Sequence, residues 1–333
     1  MATPKSSLRY RSTVMLIHYI GSLSLAWINK LAFIEGFKWA SLLTALSNLF
    51  IFATFELAIR RRLIIGGEPL PLVKVLPISV AFCGFVIFNN FSLDYNDPGV
   101  YELTKVLVTP AILLVQNLLY SIAVPPGQGL TLFAMVIGMV LATVSSFNFN
   151  LLGSLWGLLS VACAALYQVL VCVTPKQAQC RPLQLLHRQS LVTALLLFMV
   201  IPLLEDVSEI LEYTPSLSAL SLVLISCVIS LVVNATIFVI LIEVSPLSYN
   251  VLCNAEVCLV LSIGYLIFGD PLTIKSLVGV SVASLSVAWF TRLKLEGIIF
   301  NRYDPVGKID WTGLSAPKID PFDRELDGGT HGI

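Results

Sequence analysis

Charge is what this sequence has least of. Only 12% of its 333 residues are Asp, Glu, Lys or Arg, about half of the roughly 25% usual in soluble domains. Neither sign is in excess. Lys+Arg and Asp+Glu are 20 each, which excludes the basic footprint of a nucleic-acid binder. Histidine is scarce, with 3 residues. The cysteines Cys83, Cys163, Cys172, Cys180, Cys227, Cys253 and Cys258 form no CxxC pair, and only Cys180 falls outside an apolar run. They read as small packing residues, so no metal, cofactor or redox site is expected. Neither a P-loop nor a GxSxG elbow occurs, which removes the motif-bearing ATPases and serine hydrolases.

Hydrophobic residues make up 57% of the chain, and mean hydropathy is +0.88. A water-soluble body has no place for that much apolar surface, so much of it must face lipid. Ten continuously apolar stretches occur, at 13–33, 37–59, 72–93, 98–120, 130–147, 151–173, 184–203, 217–242, 246–268 and 271–291. Most approach the ~20 residues that a bilayer-crossing helix needs. Their continuity, without strict alternation, predicts helices rather than barrel strands. The first is too long for the apolar region of a cleavable signal peptide and is expected to stay as a span.

Basic residues order the loops. Lys5, Arg9, Arg11, Arg60, Arg61, Arg62, Lys74, Lys176, Arg181, Arg188, Arg292 and Lys294 fall on one side, against Lys38 and Lys275 on the other. The poorer side also carries Glu205, Asp206, Glu209 and Glu212. The positive-inside rule therefore predicts cytosolic termini and a lumenal 204–216 loop. The expected fold is all-α and polytopic, with ten transmembrane helices as two inverted five-helix repeats. Its parts are a cytosolic N-terminus (1–12), a first repeat (13–147), a second repeat (151–294) and a disordered cytosolic tail (295–333).

Polar groups inside apolar stretches mark the candidate site, because they are expensive in lipid and face the bundle interior. The fourth stretch holds Tyr101, Glu102 and Lys105, which share a helix face at spacings of three and four. The ninth holds Tyr249 and Glu256, the eighth Asn234, the third Asn89 and Asn90, and Lys30 closes the first. Lys105 and Glu256 lie too deep to reach water easily and are expected to pair, as a gate that an anionic substrate would open. Pro110 removes the hydrogen bond to the Val106 carbonyl beside Lys105. The expectation is an interrupted helix, which in transporters points to the binding site. Lys30 could equally snorkel to water, and Asn89 and Asn90 could equally glue helices together. Glu56 and Glu243, at cytosolic ends, are expected to be solvated.

These residues occur in the stretches Asn29-Lys30, AFCGFVIFNNFSL (81–93), YELTKVLVTP (101–110), ALYQV (165–169), SPLSYN (245–250) and FGDPLT (268–273). In their joint order and spacing the chain resembles the drug/metabolite transporter superfamily, within it the nucleotide-sugar/triose-phosphate translocator family. The nearest likeness is to the E-type members of solute carrier family 35. The resemblance implies a ten-helix fold, Golgi or endoplasmic reticulum residence, and antiport of a nucleotide sugar, a UDP-sugar first, for a nucleotide monophosphate. It also implies anion binding by Lys105, which matches the family's lysine on its fourth helix. Glu256 stands where many relatives carry lysine, Val257 where triose-phosphate carriers have arginine, and Glu102 replaces a common neutral residue. These departures leave a second reading, a carrier of another phosphorylated, neutral or cationic metabolite.

Substrate contact is thus expected from Lys105, Tyr101, Tyr249, Asn89, Asn90, Asn234 and Lys30, and gating charge from Lys105, Glu256 and Glu102. The expected partners are the lipid bilayer and a small-molecule substrate, with a homodimer as the oligomer considered and no nucleic acid. An intramembrane enzyme is disfavoured, because Glu256 has no acidic or His partner in its own stretch.

Overall fold

In the computed structural model the backbone is described for residues 8–63, 70–95, 98–120, 126–143, 150–255 and 274–299. Side chains are described for these residues except 8–9, 11, 98–106, 120, 142–143, 274–277 and 294–299. The ordered elements among them are all helices: α1 (Leu8–Ile34), α2 (Ala40–Arg60), α3 (Leu72–Tyr95), α4 (Pro98–Tyr120), α5 (Pro126–Thr143), α6 (Leu151–Ala178), α7 (Pro182–Leu204), the short α8 (Val207–Glu212) and α9 (Leu217–Glu243). Residues 246–255 form α10, and α11 spans Ile274–Ile299. Six of these helices, α1, α2, α3, α6, α7 and α9, are long and apolar enough to cross a membrane, and α4, α5 and α11 contain shorter apolar segments. Two expectations are corrected. The helix α4 runs unbroken through Pro110, because loss of one backbone hydrogen bond does not outweigh the remaining ladder. The 204–216 segment is not only loop, since Asp206 caps α8 by accepting from the Ser208 amide at 2.9 Å. The Ser208 hydroxyl bonds the same carboxylate and holds Asp206 below the usual carboxylate range.

Helix ends follow local rules. Asn150 caps α6 by accepting from the Leu152 and Gly153 amides at 3.0 and 3.4 Å, and Ser216 caps α9 through the Ala219 amide at 3.1 Å. The C-terminus of α1 closes in a Schellman motif. Gly36, at φ +97°, donates to the Phe33 carbonyl, and Phe37 donates to that of Ala32. That φ suits glycine, which has no Cβ to clash.

Packing is pairwise, and the four principal pairs are antiparallel. The principal pairs are α1 with α9, α2 with α7, α3 with α6 and α5 with α11, and α4 lies against α5 and α6. Two large cores result. One joins Val108 and Ile112 of α4, Met135 of α5, Ala164 and Ala165 of α6, Val251 of α10 and Phe290 of α11. The other joins Ile51 and Phe55 of α2, Ile78 of α3, Tyr167 and Val171 of α6, Leu185 of α7 and Phe238 of α9. Each core draws helices from both chain halves. The outer faces expose Leu16, Trp27, Leu118, Phe133, Met199 and Leu285, an exterior suited to hydrocarbon. The pairing gathers Arg60, Arg61, Arg62, Arg181 and Arg188 at one end of the bundle, where α2 stops and α7 starts. At the opposite end Lys38 lies 3.8 Å from Glu209.

Candidate functional site

Four buried polar side chains converge where α4, α6 and α10 meet. Thr109 is fully buried, and Gln168, Asn250 and Asn254 are 9%, 6% and 7% exposed. The Asn250 amide donates to Gln168 Oε1, and also to the Pro246 carbonyl at 3.0 Å. Asn254 Nδ2 donates to Thr109 Oγ1 at 3.4 Å and lies 3.7 Å from Met135 Sδ. Tyr101, Lys105 and Thr109 are spaced by four on continuous α4, so their backbone positions line one face. The face that meets α10 at Thr109 therefore carries Lys105. The side chains of Tyr101, Glu102 and Lys105, and Glu256 as a whole, lie outside the described residues.

The other expected site residues are dispersed. Tyr249 packs against the second core, its ring 5.5 Å from that of His18. Asn90 Nδ2 donates to Ser41 Oγ at 3.4 Å, far along α3 toward the acidic end. Asn89 is half-buried beside it. Asn234 bonds within its own helix, to the Ser230 carbonyl at 2.8 Å and hydroxyl at 3.1 Å. Lys30 is exposed, with Nζ 5.5 Å from the centre of the Trp27 ring, a cation–π position consistent with snorkelling. Glu56 is not merely solvated, since Arg60 Nε donates to it at 2.9 Å.

Sequence reasoning missed three things here. Gln168, Asn250 and Asn254 are uncharged, and the spacing of four between Asn250 and Asn254 was the available sign. His18 is 2% exposed, with Nδ1 3.1 Å from Thr236 Oγ1 of α9; a lone ring nitrogen in an apolar stretch was the available sign. Ser226 Oγ likewise bonds Asn29 Oδ1, tying α9 to α1. Among the described residues no group of three or more His, Cys, Asp or Glu is placed to hold a metal ion.

The Gln168–Asn250 pair has a measurable consequence. Either single change to Ala strands a buried amide, at about 1–3 kcal/mol. Removing both strands less, so the double variant is expected to be more stable than the sum of singles by about 0.5–1.5 kcal/mol. Unfolding in detergent measures this, and strict additivity would show that the bond contributes nothing.

This arrangement offers hydrogen-bond donors and acceptors beside a lysine position, and its four described side chains are all neutral. The comparisons agree. "UDP-xylose transporter 3" of Arabidopsis thaliana is 26% identical over 284 residues, covering 82% of this chain and 79% of the relative. "UDP-rhamnose/UDP-galactose transporter 3" of the same plant is 23% identical, covering 70% of this chain and 69% of the relative. A solved crystal structure at 19% identity superimposes with a TM-score of 0.67, covering 85% of this chain and 99% of its own, which establishes the shared fold. The model of the Triose-phosphate Transporter family matches residues 11–291. The chain therefore belongs to the Triose-phosphate Transporter family, as a multi-pass membrane transporter and not an enzyme.

Proposed function

We propose that the chain is an antiporter that exchanges a nucleotide sugar, a UDP-sugar first, for a nucleoside monophosphate across the Golgi or endoplasmic reticulum membrane. The observation that carries the reading is the bond of Asn254 to Thr109 on the α4 face that holds Lys105, one turn of α10 from the Asn250–Gln168 bond. A nucleotide sugar has an anionic diphosphate flanked by two hydrogen-bonding ends, the base and the sugar. One lysine suits the diphosphate, and neutral amides and hydroxyls suit the ends. The transporters of UDP-xylose, UDP-rhamnose and UDP-galactose among its relatives support this substrate class.

Two inverted repeats and ten spans belong to the same proposal. Moving each helix five apolar stretches along turns the α3–α6 pair into the α9–α1 pair and α2–α9 into α7–α3. It returns α2–α7 and α5–α11 to themselves, and every one of these pairs packs. Such exchange supports a two-fold relation between halves that rock against each other. Clustering of arginines at one bundle end supports cytosolic termini.

Proteoliposomes preloaded with UMP, GMP or AMP, and offered external UDP-xylose, UDP-galactose or GDP-mannose, test the substrate. Uptake of a UDP-sugar is expected to rise at least about tenfold when UMP is inside, as exchange with a loaded carrier demands. No uptake of any nucleotide sugar from either side, with amine or neutral metabolites transported instead, would replace this reading with the second one.

A further inference from the structure

The α2–α7 pair is closed at both ends by a carboxylate of one helix held at the N-terminal part of the other. At the acidic end α2 begins after Trp39, whose side chain makes no cap hydrogen bond. Glu205, immediately after α7, supplies the cap. Its Oε1 accepts from the Ser41 amide at 2.9 Å, from 164 residues away. A carboxylate there also meets the positive end of the helix dipole. Asn90 of α3 adds a bond to Ser41 Oγ at 3.4 Å. Trp39 and Tyr213 pack over the joint, their rings 5.1 Å apart.

At the basic end the roles are exchanged. Glu56 of α2 lies 3.5 Å from His187 Nε2 of α7, and Arg60 Nε holds the other carboxylate oxygen at 2.9 Å. The His187 ring lies flat against Phe52, with centres 5.0 Å apart and planes at 6°. Ser41 and Glu56 are fifteen residues apart on α2, about 22 Å along the axis. In a hydrocarbon core about 30 Å thick the two joints sit near opposite faces.

Neither joint is fully satisfied. Glu205 Oε2 is buried without a hydrogen bond, and His187 Nε2 meets Glu56 only at a long 3.5 Å; such groups weaken the contact that buries them. Two strong struts would freeze the seam, whereas two marginal ones at opposite ends let either open. The helices belong to different chain halves, so the seam lies where the halves would move.

We propose that Glu205 on Ser41, and Glu56 on His187, are alternating latches: opening one end of the α2–α7 seam tightens the other. The proposal rests on the transporter reading but not on any substrate. Hydrogen–deuterium exchange of the full chain in lipid nanodiscs, without ligand, tests it. Glu205→Ala is expected to speed exchange of amides 40–46 by about tenfold, the counterpart of one lost charged hydrogen bond. It should simultaneously slow exchange at 54–60 and 182–190. Glu56→Ala should do the reverse. Glu205→Gln and Glu56→Gln, which keep size, should give the same signs with smaller changes. A purely structural cap would loosen its own end alone, so unchanged or faster exchange at the far end in the Gln variants overturns the proposal. Because no substrate enters, this outcome is independent of the uptake experiment.

Discussion

Lys105→Ala is expected to abolish nucleotide-sugar exchange in proteoliposomes, while the chain still folds and reaches the membrane. Lys105 stands seven residues inside α4, about 10 Å along the helix, on the face that meets α10 at Thr109. In so apolar a bundle a diphosphate needs a cation, and desolvation makes each charge-assisted bond stronger than in water. Losing the only lysine on that helix is expected to lower uptake at least about a hundredfold, a loss of roughly 3 kcal/mol. Lys105→Arg should recover part of it, since charge is kept but the planar fork has another geometry. Glu256→Gln should tighten binding of the anionic substrate if Glu256 competes for Lys105. Wild-type exchange by Lys105→Ala would remove Lys105 from the site. Unchanged affinity in Glu256→Gln would remove only the competition.

Gly138→Val is expected to abolish the folded protein, and Gly138→Ala to lower its stability by about 1–3 kcal/mol, the usual range for overpacking. A Cβ at Gly138 would meet the Ala283 nitrogen at 2.5 Å, the Gly279 carbonyl oxygen at 2.9 Å and the Ala283 Cα at 3.0 Å. All three are backbone atoms of α11, so no rotamer relieves them. The helices α5 and α11 must separate, and the contact of Met139 with Ala283 goes with them. Gly84→Ala is the control. Its Cβ meets first the Cys163 Sγ at 2.9 Å, a side-chain end that can turn away. Elution profile and thermal stability in detergent separate the two. Equal, small losses at both positions would show that the α5–α11 seam adjusts as freely as a side chain.

The helical nature of this chain and the rough bounds of its elements were legible in sequence, because lipid demands long apolar runs and those runs cannot be disguised. Leu72–Tyr95 and Leu217–Glu243 follow their apolar stretches to within a few residues. The α8 helix escaped, being one short turn-and-a-half built on an Asp206 cap rather than on hydrophobicity. So did the unbroken course of α4, where a proline alone was a poor guide.

The site divides along the same line. Lys105 and Tyr101 stand out in sequence as candidates because charged and aromatic polar groups are conspicuous in apolar stretches. By the same sign Tyr249 stands out, yet it packs on the second core beside His18. That Asn234 satisfies itself on Ser230, that Lys30 rests on Trp27, and that Asn90 serves Ser41 are decisions of packing. These helices are apolar all round, so no polar face announces which side looks inward. Gln168 finds Asn250 across 82 residues and Glu205 finds Ser41 across 164. Sequence alone determined that this chain spans a membrane as helices and that its fourth apolar stretch carries one lysine, Lys105. Only tertiary structure decided which neutral side chains meet where α4, α6 and α10 pack and what closes each end of the seam, because both depend on helix rotation and pairing, which continuous hydrophobicity does not encode.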